Sequence, residues 1–109
     1  MNKLAPTDWP ALAPTLPAWN YQNERGGLIR REFKFDDFVQ AFGFMTQLAM
    51  AAERLNHHPE WSNVYDRVDI TLTTHDVQGL SMKDIELAAI ADRLADRLAD
   101  RLAARSGAR

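Results

Sequence analysis

The chain has 109 residues, of which 46% are hydrophobic and 26% are charged, values typical of one soluble globular domain. Its formal net charge of -2 gives no electrostatic reason to expect nucleic acid as a partner, and no apolar stretch is long enough to span a membrane. The absence of cysteine excludes disulfides, thiolate nucleophiles and cysteine-based zinc sites. Because the N-terminus lacks the apolar core of a signal peptide, we expect a cytoplasmic location.

The N-terminal segment is rich in proline, which prevents a long helix. We expect one domain over residues 1–109, with residues 1–18 lying as an ordered arm over its core. Thr7 is placed to cap a short helical turn. The apolar side chains that are expected to anchor this segment are Trp9, Leu12 and Trp19.

Two stretches of alternating polar and apolar residues predict β-hairpins. In the first hairpin, residues 19–22 and 28–35 flank a turn whose Gly26-Gly27 pair can adopt positive φ angles. In the second, residues 61–65 and 68–75 flank a two-residue turn at Asp66-Arg67. Four antiparallel strands are therefore expected.

A first helix follows a cap at Asp36 or Asp37 and ends near Asn56, because Pro59 disfavours helix before it. Its apolar stripe is predicted to consist of Phe38, Ala41, Phe42, Met45, Leu48, Ala49, Ala52 and Leu55. A second helix runs from about Met82 to about Ala104, after a capping pair at Ser81 and Asp84. Its narrow stripe is Leu87, Ala91, Leu94, Leu98 and Leu102.

The order of elements is arm, β, β, α, β, β, α, which predicts an α+β fold in which helices pack on one face of a four-stranded antiparallel sheet. The leucines at positions 94, 98 and 102 extend beyond the area that such a sheet covers easily. Since an isolated apolar stripe is stabilised by a partner helix, we predict self-association through the second helix.

The candidate catalytic residues are the three histidines. His57 and His58 lie between a helix end and Pro59, and His75 ends a strand. A single loop histidine is more often a surface residue, but a pair at a proline-fixed corner together with a third indicates a site. One alternative is a metal site of the facial-triad type, formed by Glu53, His57 and His75. Against it, adjacent histidines usually point in different directions.

Two aromatic residues close to the histidines have two interpretations. Trp61 and Tyr65 could stack on a flat ligand, or they could fill the core as ordinary strand residues. For Trp61 the core interpretation is slightly favoured.

The segment from Glu53 to Tyr65 resembles the signature of the pterin-4a-carbinolamine dehydratase family. In that pattern an acidic residue precedes His-His-Pro, an aromatic residue follows, and a histidine and an aspartate come later. The matching residues here are Glu53, His57-His58-Pro59, Tyr65, His75 and Asp84. The family's Thr-His and Gly-Leu stretches also have counterparts at Thr74-His75 and Gly79-Leu80-Ser81, so the resemblance covers roughly residues 19–91.

The resemblance implies a lyase that removes water from 4a-hydroxytetrahydropterin to give quinonoid dihydropterin, within tetrahydrobiopterin recycling. It implies no metal or other cofactor, the four-stranded α+β fold, and assembly as a homodimer or homotetramer. A functional link to an aromatic amino-acid hydroxylase follows from the substrate. The runner-up is a binding or assembly protein on the same fold.

The reaction needs one proton delivered to the leaving hydroxyl and another removed from a ring nitrogen, which histidine can do near neutral pH. We expect His57, His58 and His75 to be catalytic, with His58 and His75 around the hydroxyl and His57 as base or orienting group. Glu53 is placed to fix the His57 tautomer, one helical turn away. The other supporting or substrate-binding candidates are Pro59, Trp61, Thr74 and Asp84.

Asp84 has two readings. As the third helical residue after Ser81, it is expected mainly to cap the second helix. The functional reading is contact with the pterin ring or support of His75.

Overall fold

The structure is a computed structural model that describes the backbone of residues 2–107 and the side chains of residues 2–99. Its strands are β1 (Asn20–Gln22), β2 (Leu28–Lys34), β3 (Glu60–Val64) and β4 (Arg67–Leu72). Its helices are α1 (Trp9–Leu12), α2 (Phe38–Leu55) and α3 (Met82–Gly107). Short 3-10 turns cover Pro6–Asp8, Ala13–Thr15, Glu24–Gly26 and His75–Val77. None of the helices described here is both long and apolar enough to cross a bilayer.

The four strands form one antiparallel sheet in the order β1-β2-β4-β3, which confirms the predicted α+β class. In β2 and β4 the register pairs Ile29 with Leu72 and Phe33 with Val68, so these four buried side chains lie on one face. The helices α2 and α3 pack against each other and cover this core. The opposite face carries charged pairs such as Arg30 with Asp69.

Helix α2 begins where the sequence indicates, because the Asp37 carboxylate accepts a hydrogen bond from the Gln40 N–H at 2.8 Å. Its predicted apolar stripe was partly wrong. Phe38, Phe42 and Ala49 are exposed, whereas the stripe's centre includes Phe44 and Ala51. The physical reason is a cluster in which the Phe44 ring lies 4.8 Å from that of Phe33 and 4.9 Å from that of Phe35.

The turn between β3 and β4 is shifted by one residue from its predicted position. It consists of Tyr65 and Asp66, and Val64 pairs with Arg67. Tyr65 has a φ of 53° and is exposed. A tight two-residue hairpin turn requires a positive φ, so the position of Tyr65 is explained by the geometry of the turn.

The N-terminal segment contacts the core through Trp9, Leu12 and Trp19, and also through Leu16, which the sequence analysis did not single out. The predicted Thr7 cap was wrong. The first turn instead begins at Pro6, and the Ala5 N–H donates to the Asp8 carboxylate at 2.7 Å.

Helix α3 is slightly longer than predicted. Leu87 and Ala91 are buried, and Leu94 and Leu98 are half-buried. The side chain of Leu102 lies outside the described residues.

Candidate functional site

A cavity of about 820 Å³ opens between the end of α2, the β1–β2 turn and the loop that leads into α3. This volume is in the range of small-molecule sites. All three histidines line it. The full lining is Lys3, Arg25, Gly26, Asn56, His57, His58, Glu60, Thr73, Thr74, His75, Asp76, Gln78, Gly79 and Lys83.

The paired histidines point in different directions because α2 ends sharply. Asn56 has a φ of 50° and lies in the left-handed region, and the His57 N–H donates to the Ala52 carbonyl at 3.0 Å. Pro59 then prevents the helix from continuing. As a result His57 is buried, with 9% of its surface exposed, whereas His58 is exposed.

The buried imidazole of His57 contacts Asp84, whose side chain is completely buried at the start of α3. The His57 Nε2 lies 2.5 Å from the Asp84 Oδ1. The other oxygen, Oδ2, accepts hydrogen bonds from the Thr74 hydroxyl at 2.6 Å and from the Ser81 N–H at 2.9 Å. A carboxylate with three such neighbours acts as acceptor towards each, so we assign the hydrogen to the His57 Nε2. Nδ1 is then the ring nitrogen that remains available.

Asp84 therefore caps α3 and also contacts one of the three histidines. Its bond to the Ser81 N–H is half of a capping box at the start of α3. The other half is absent, because the Ser81 hydroxyl lies 2.7 Å from that of Thr74. The histidine that Asp84 contacts is His57 and not His75, which corrects the functional reading of this residue.

Glu53 contacts a different histidine from the one predicted. Its Oε1 lies 2.8 Å from the Nε2 of His58, and both side chains are largely exposed. Each member of the His-His pair thus has its own carboxylate, one at the surface and one buried.

His75 lies in a 3-10 turn that directly follows Thr74. The turn is closed by Thr74, whose N–H donates to the Gly79 carbonyl at 2.7 Å, and by the Gln78 N–H, which donates to the His75 carbonyl at 3.0 Å. The imidazole is exposed at the cavity. This turn places the third histidine in the lining of the same cavity as the first two.

The β1–β2 turn presses against the His75 turn, a contact that sequence reasoning missed. A Cβ added to Gly26, which has a φ of 78°, would lie 1.9 Å from the Gln78 carbonyl oxygen. A Cβ added to Gly79 would lie 2.6 Å from the Gly26 carbonyl oxygen. The Thr73 hydroxyl ties the two together by donating to the Gly27 carbonyl at 2.8 Å. The Gly26-Gly27 pair was the sequence signal for this contact, but from the sequence it predicted only a turn.

A second missed feature is the bidentate ion pair between Arg25 and Glu60, at 3.0 and 2.9 Å. It joins the β1–β2 turn to the first residue after the His-His-Pro corner. The hydrogen bond from the Arg25 guanidinium is the main reason that the pKa of the Glu60 carboxyl lies below its ordinary value. The positive charge of Arg25 contributes in the same direction.

The remaining predicted residues lie outside the cavity lining. Trp61 packs partly buried against the core, opposite Ile70, as the core interpretation expected. Pro59 is half-buried between two lining residues. The facial triad of Glu53, His57 and His75 is not assembled, because the first two contact other side chains. Among residues 2–99, whose side chains the structure describes, no group of three His, Asp or Glu side chains is arranged to hold a metal ion.

Comparison with known proteins agrees with the resemblance in the sequence. The family model described as pterin 4 alpha carbinolamine dehydratase matches residues 2–94. A Rhizobium johnstonii protein provisionally named pterin-4-alpha-carbinolamine dehydratase is 52% identical over 93 residues, which is 85% of this chain and 91% of the relative. A Burkholderia lata protein of the same provisional name is 56% identical over 78 residues, covering 72% of this chain and 76% of the relative.

Two solved structures share the fold. One is the transcriptional coactivator/pterin dehydratase from Brucella melitensis, with a TM-score of 0.82 and 44% identity over 86% of this chain and 99% of that one. The other is a pterin dehydratase-like protein described as a RuBisCO assembly factor in the alpha-carboxysome. It has a TM-score of 0.62 and 25% identity, and covers 72% of this chain and 89% of that one. With the family model spanning most of the sequence, the chain belongs to the pterin 4 alpha carbinolamine dehydratase family.

Proposed function

We propose that this protein is a dehydratase that converts 4a-hydroxytetrahydropterin to quinonoid dihydropterin and water by histidine acid–base catalysis, as a step of tetrahydrobiopterin recycling. The observation that carries the proposal is one cavity lined by three histidines, two of which have their own carboxylate partners. Family membership supplies the substrate class.

The chemistry requires two proton movements and one bond cleavage. The C4a–O bond breaks, the hydroxyl group leaves as water after gaining a proton, and the lone pair of the neighbouring ring nitrogen forms the new C=N bond. That nitrogen then loses its proton. Acid–base groups held at both positions typically supply roughly 10²–10⁴-fold, and histidine exchanges protons near neutral pH. No step in this scheme requires a metal.

The surroundings of each histidine support a division of roles. The buried His57, fixed by Asp84, has Nδ1 free as a base or orienting group for the ring nitrogen. His58 and His75 are exposed to the cavity and can exchange protons with water, which suits delivery of a proton to the leaving hydroxyl. Glu53 would orient His58.

The test compares dehydration of 4a-hydroxytetrahydropterin by the wild type and by His75→Ala. We expect turnover to fall by roughly 10²–10⁴-fold, with an unchanged circular dichroism spectrum. The matched surface control is Lys34→Ala, because this lysine is exposed and pairs with Asp66 outside the cavity. Wild-type turnover in His75→Ala would remove His75 from the mechanism.

Self-association is a further part of the proposal. Leu94 and Leu98 on α3 are only half-buried, and Phe38 and Phe42 on α2 are exposed with ring centroids 5.7 Å apart. Apolar surface of this kind favours a partner, and we propose a homodimer or homotetramer. Since the substrate is a product of aromatic amino-acid hydroxylases, we also propose a functional link to such an enzyme.

The second candidate function is that of a binding or assembly protein. It is supported by the structural neighbour described as a RuBisCO assembly factor and by the exposed apolar residues on α2. The dehydration assay separates the two candidates, since an assembly factor without an active site would leave the spontaneous rate unchanged.

A further inference from the structure

The cavity is more basic than the protein as a whole. The chain has 13 Lys and Arg against 15 Asp and Glu, but the cavity lining has three cationic side chains against two carboxylates. Arg25 and Glu60 neutralise each other through their bidentate bond. The two ammonium groups of Lys3 and Lys83, here called the rim lysines, therefore face a single remaining carboxylate, that of Asp76. This balance favours an anionic ligand group.

Lys3 is placed at the cavity by the N-terminal segment. The backbone N–H of Leu4 donates to the Leu80 carbonyl at 2.7 Å, which fixes the chain beside the loop that leads into α3. The Lys3 side chain then crosses the contact between the two turns. Its Cε would lie 2.6 Å from a Cβ added to Gly79, and its Nζ 3.1 Å from one added to Gly26. The N-terminal segment thus brings a cation to the site.

Lys83 is in the first turn of α3, directly before Asp84. Positive charge is disfavoured there, because the N-terminal end of a helix already carries the positive end of its dipole. Among the described residues, no carboxylate lies within ion-pair distance of Lys83 to compensate, and Asp84 is occupied by His57, Thr74 and Ser81. A negative ligand group at the cavity would give Lys83 an ion-pair partner.

We propose that the rim lysines bind an anionic group, a phosphate or a carboxylate, on the side chain of the pterin, so that the cavity selects anionic over neutral pterins. The inference rests on the proposed function, since it takes the pterin ring as the group that lies against the histidines. A cavity of about 820 Å³ leaves room for a substituted side chain beside the bicyclic ring.

The test is a fluorescence titration with three 7,8-dihydropterins, which needs no turnover. Their C6 side chains are a neutral trihydroxypropyl group, its phosphate monoester, and a carboxylate. We expect the wild type to bind at least one anionic ligand more tightly than the neutral one. Lys3→Gln and Lys83→Gln should each reduce this preference by about fivefold, and raised salt should reduce it further. Comparison of the two anions distinguishes phosphate from carboxylate.

Lys34→Gln serves as the control, since it removes the same charge outside the cavity and should leave the wild-type preference unchanged. Equal or tighter binding of the neutral pterin by the wild type would overturn the inference, as would a preference that survives both rim substitutions. Failure of the proposed function is seen separately, as a lack of accelerated dehydration with any of the corresponding 4a-hydroxy substrates.

Discussion

Replacing Asp84 by Asn tests whether this residue orients His57 or only caps α3. The variant keeps one oxygen, which can still accept from the Thr74 hydroxyl at 2.6 Å and the Ser81 N–H at 2.9 Å. In the wild type the other oxygen, Oδ1, lies 2.5 Å from the His57 Nε2. In the variant an NH₂ group takes its place. Because both groups would then donate, the His57 hydrogen must move to Nδ1, and the nitrogen assigned to the reaction loses its lone pair.

Exchanging a buried, charge-assisted hydrogen bond for a neutral one should cost about 1 kcal/mol in the free energy of unfolding. Turnover should fall by roughly 10²–10⁴-fold, which is the rate enhancement that one acid–base group typically contributes. The assays are urea unfolding and dehydration of 4a-hydroxytetrahydropterin on the same preparation. The control is Asp37→Ala, which removes the α2 cap and should cost about 1 kcal/mol with normal turnover. Reduced stability of Asp84→Asn with unchanged turnover would show that the contact between Asp84 and His57 is structural and has no part in the reaction.

Three further results are expected. Because Arg25 holds the pKa of Glu60 below its ordinary value of 4.5, the pair stabilises the fold fully above that pH and loses its effect as the pH falls through the lower value. Glu60→Gln should therefore be less stable than the wild type at about pH 7 in urea unfolding, and the difference in stability should close as the pH falls through the lowered pKa of Glu60. A difference that does not depend on pH would contradict this. Gly26→Ala should lower the free energy of unfolding by about 2 kcal/mol or more. The control is Gly43→Ala, whose added Cβ meets nothing within 4 Å and which should raise the free energy of unfolding by about 0.5–1 kcal/mol. Equal effects of the two substitutions would refute the close contact between the turns. Light scattering at micromolar concentration should give a dimer or tetramer, and a monomer would refute the self-association.

The elements of the fold were predictable because their signals are local. Asp37 caps α2, Pro59 prevents α2 from continuing, and the alternation of polar and apolar residues indicates the strands. The choice between Phe42 and Phe44 was not local, since both fit a helical spacing of three to four residues. It depends on the position of Phe33 in the sheet, which the sequence pattern does not contain.

The candidate site shows the same division. The three histidines were predicted from spacing, but their partners were not. A separation of four residues favoured contact between Glu53 and His57, yet the left-handed Asn56 turns His57 inwards and leaves Glu53 beside His58. The ion pair between Arg25 and Glu60 joins residues 35 apart in sequence and has no local signal.

The most direct test of the account is the rate at which the purified protein dehydrates 4a-hydroxytetrahydropterin, followed optically beside the spontaneous reaction. A dehydratase should accelerate the reaction in proportion to protein concentration. A rate equal to the spontaneous one, with correctly folded protein, would contradict it.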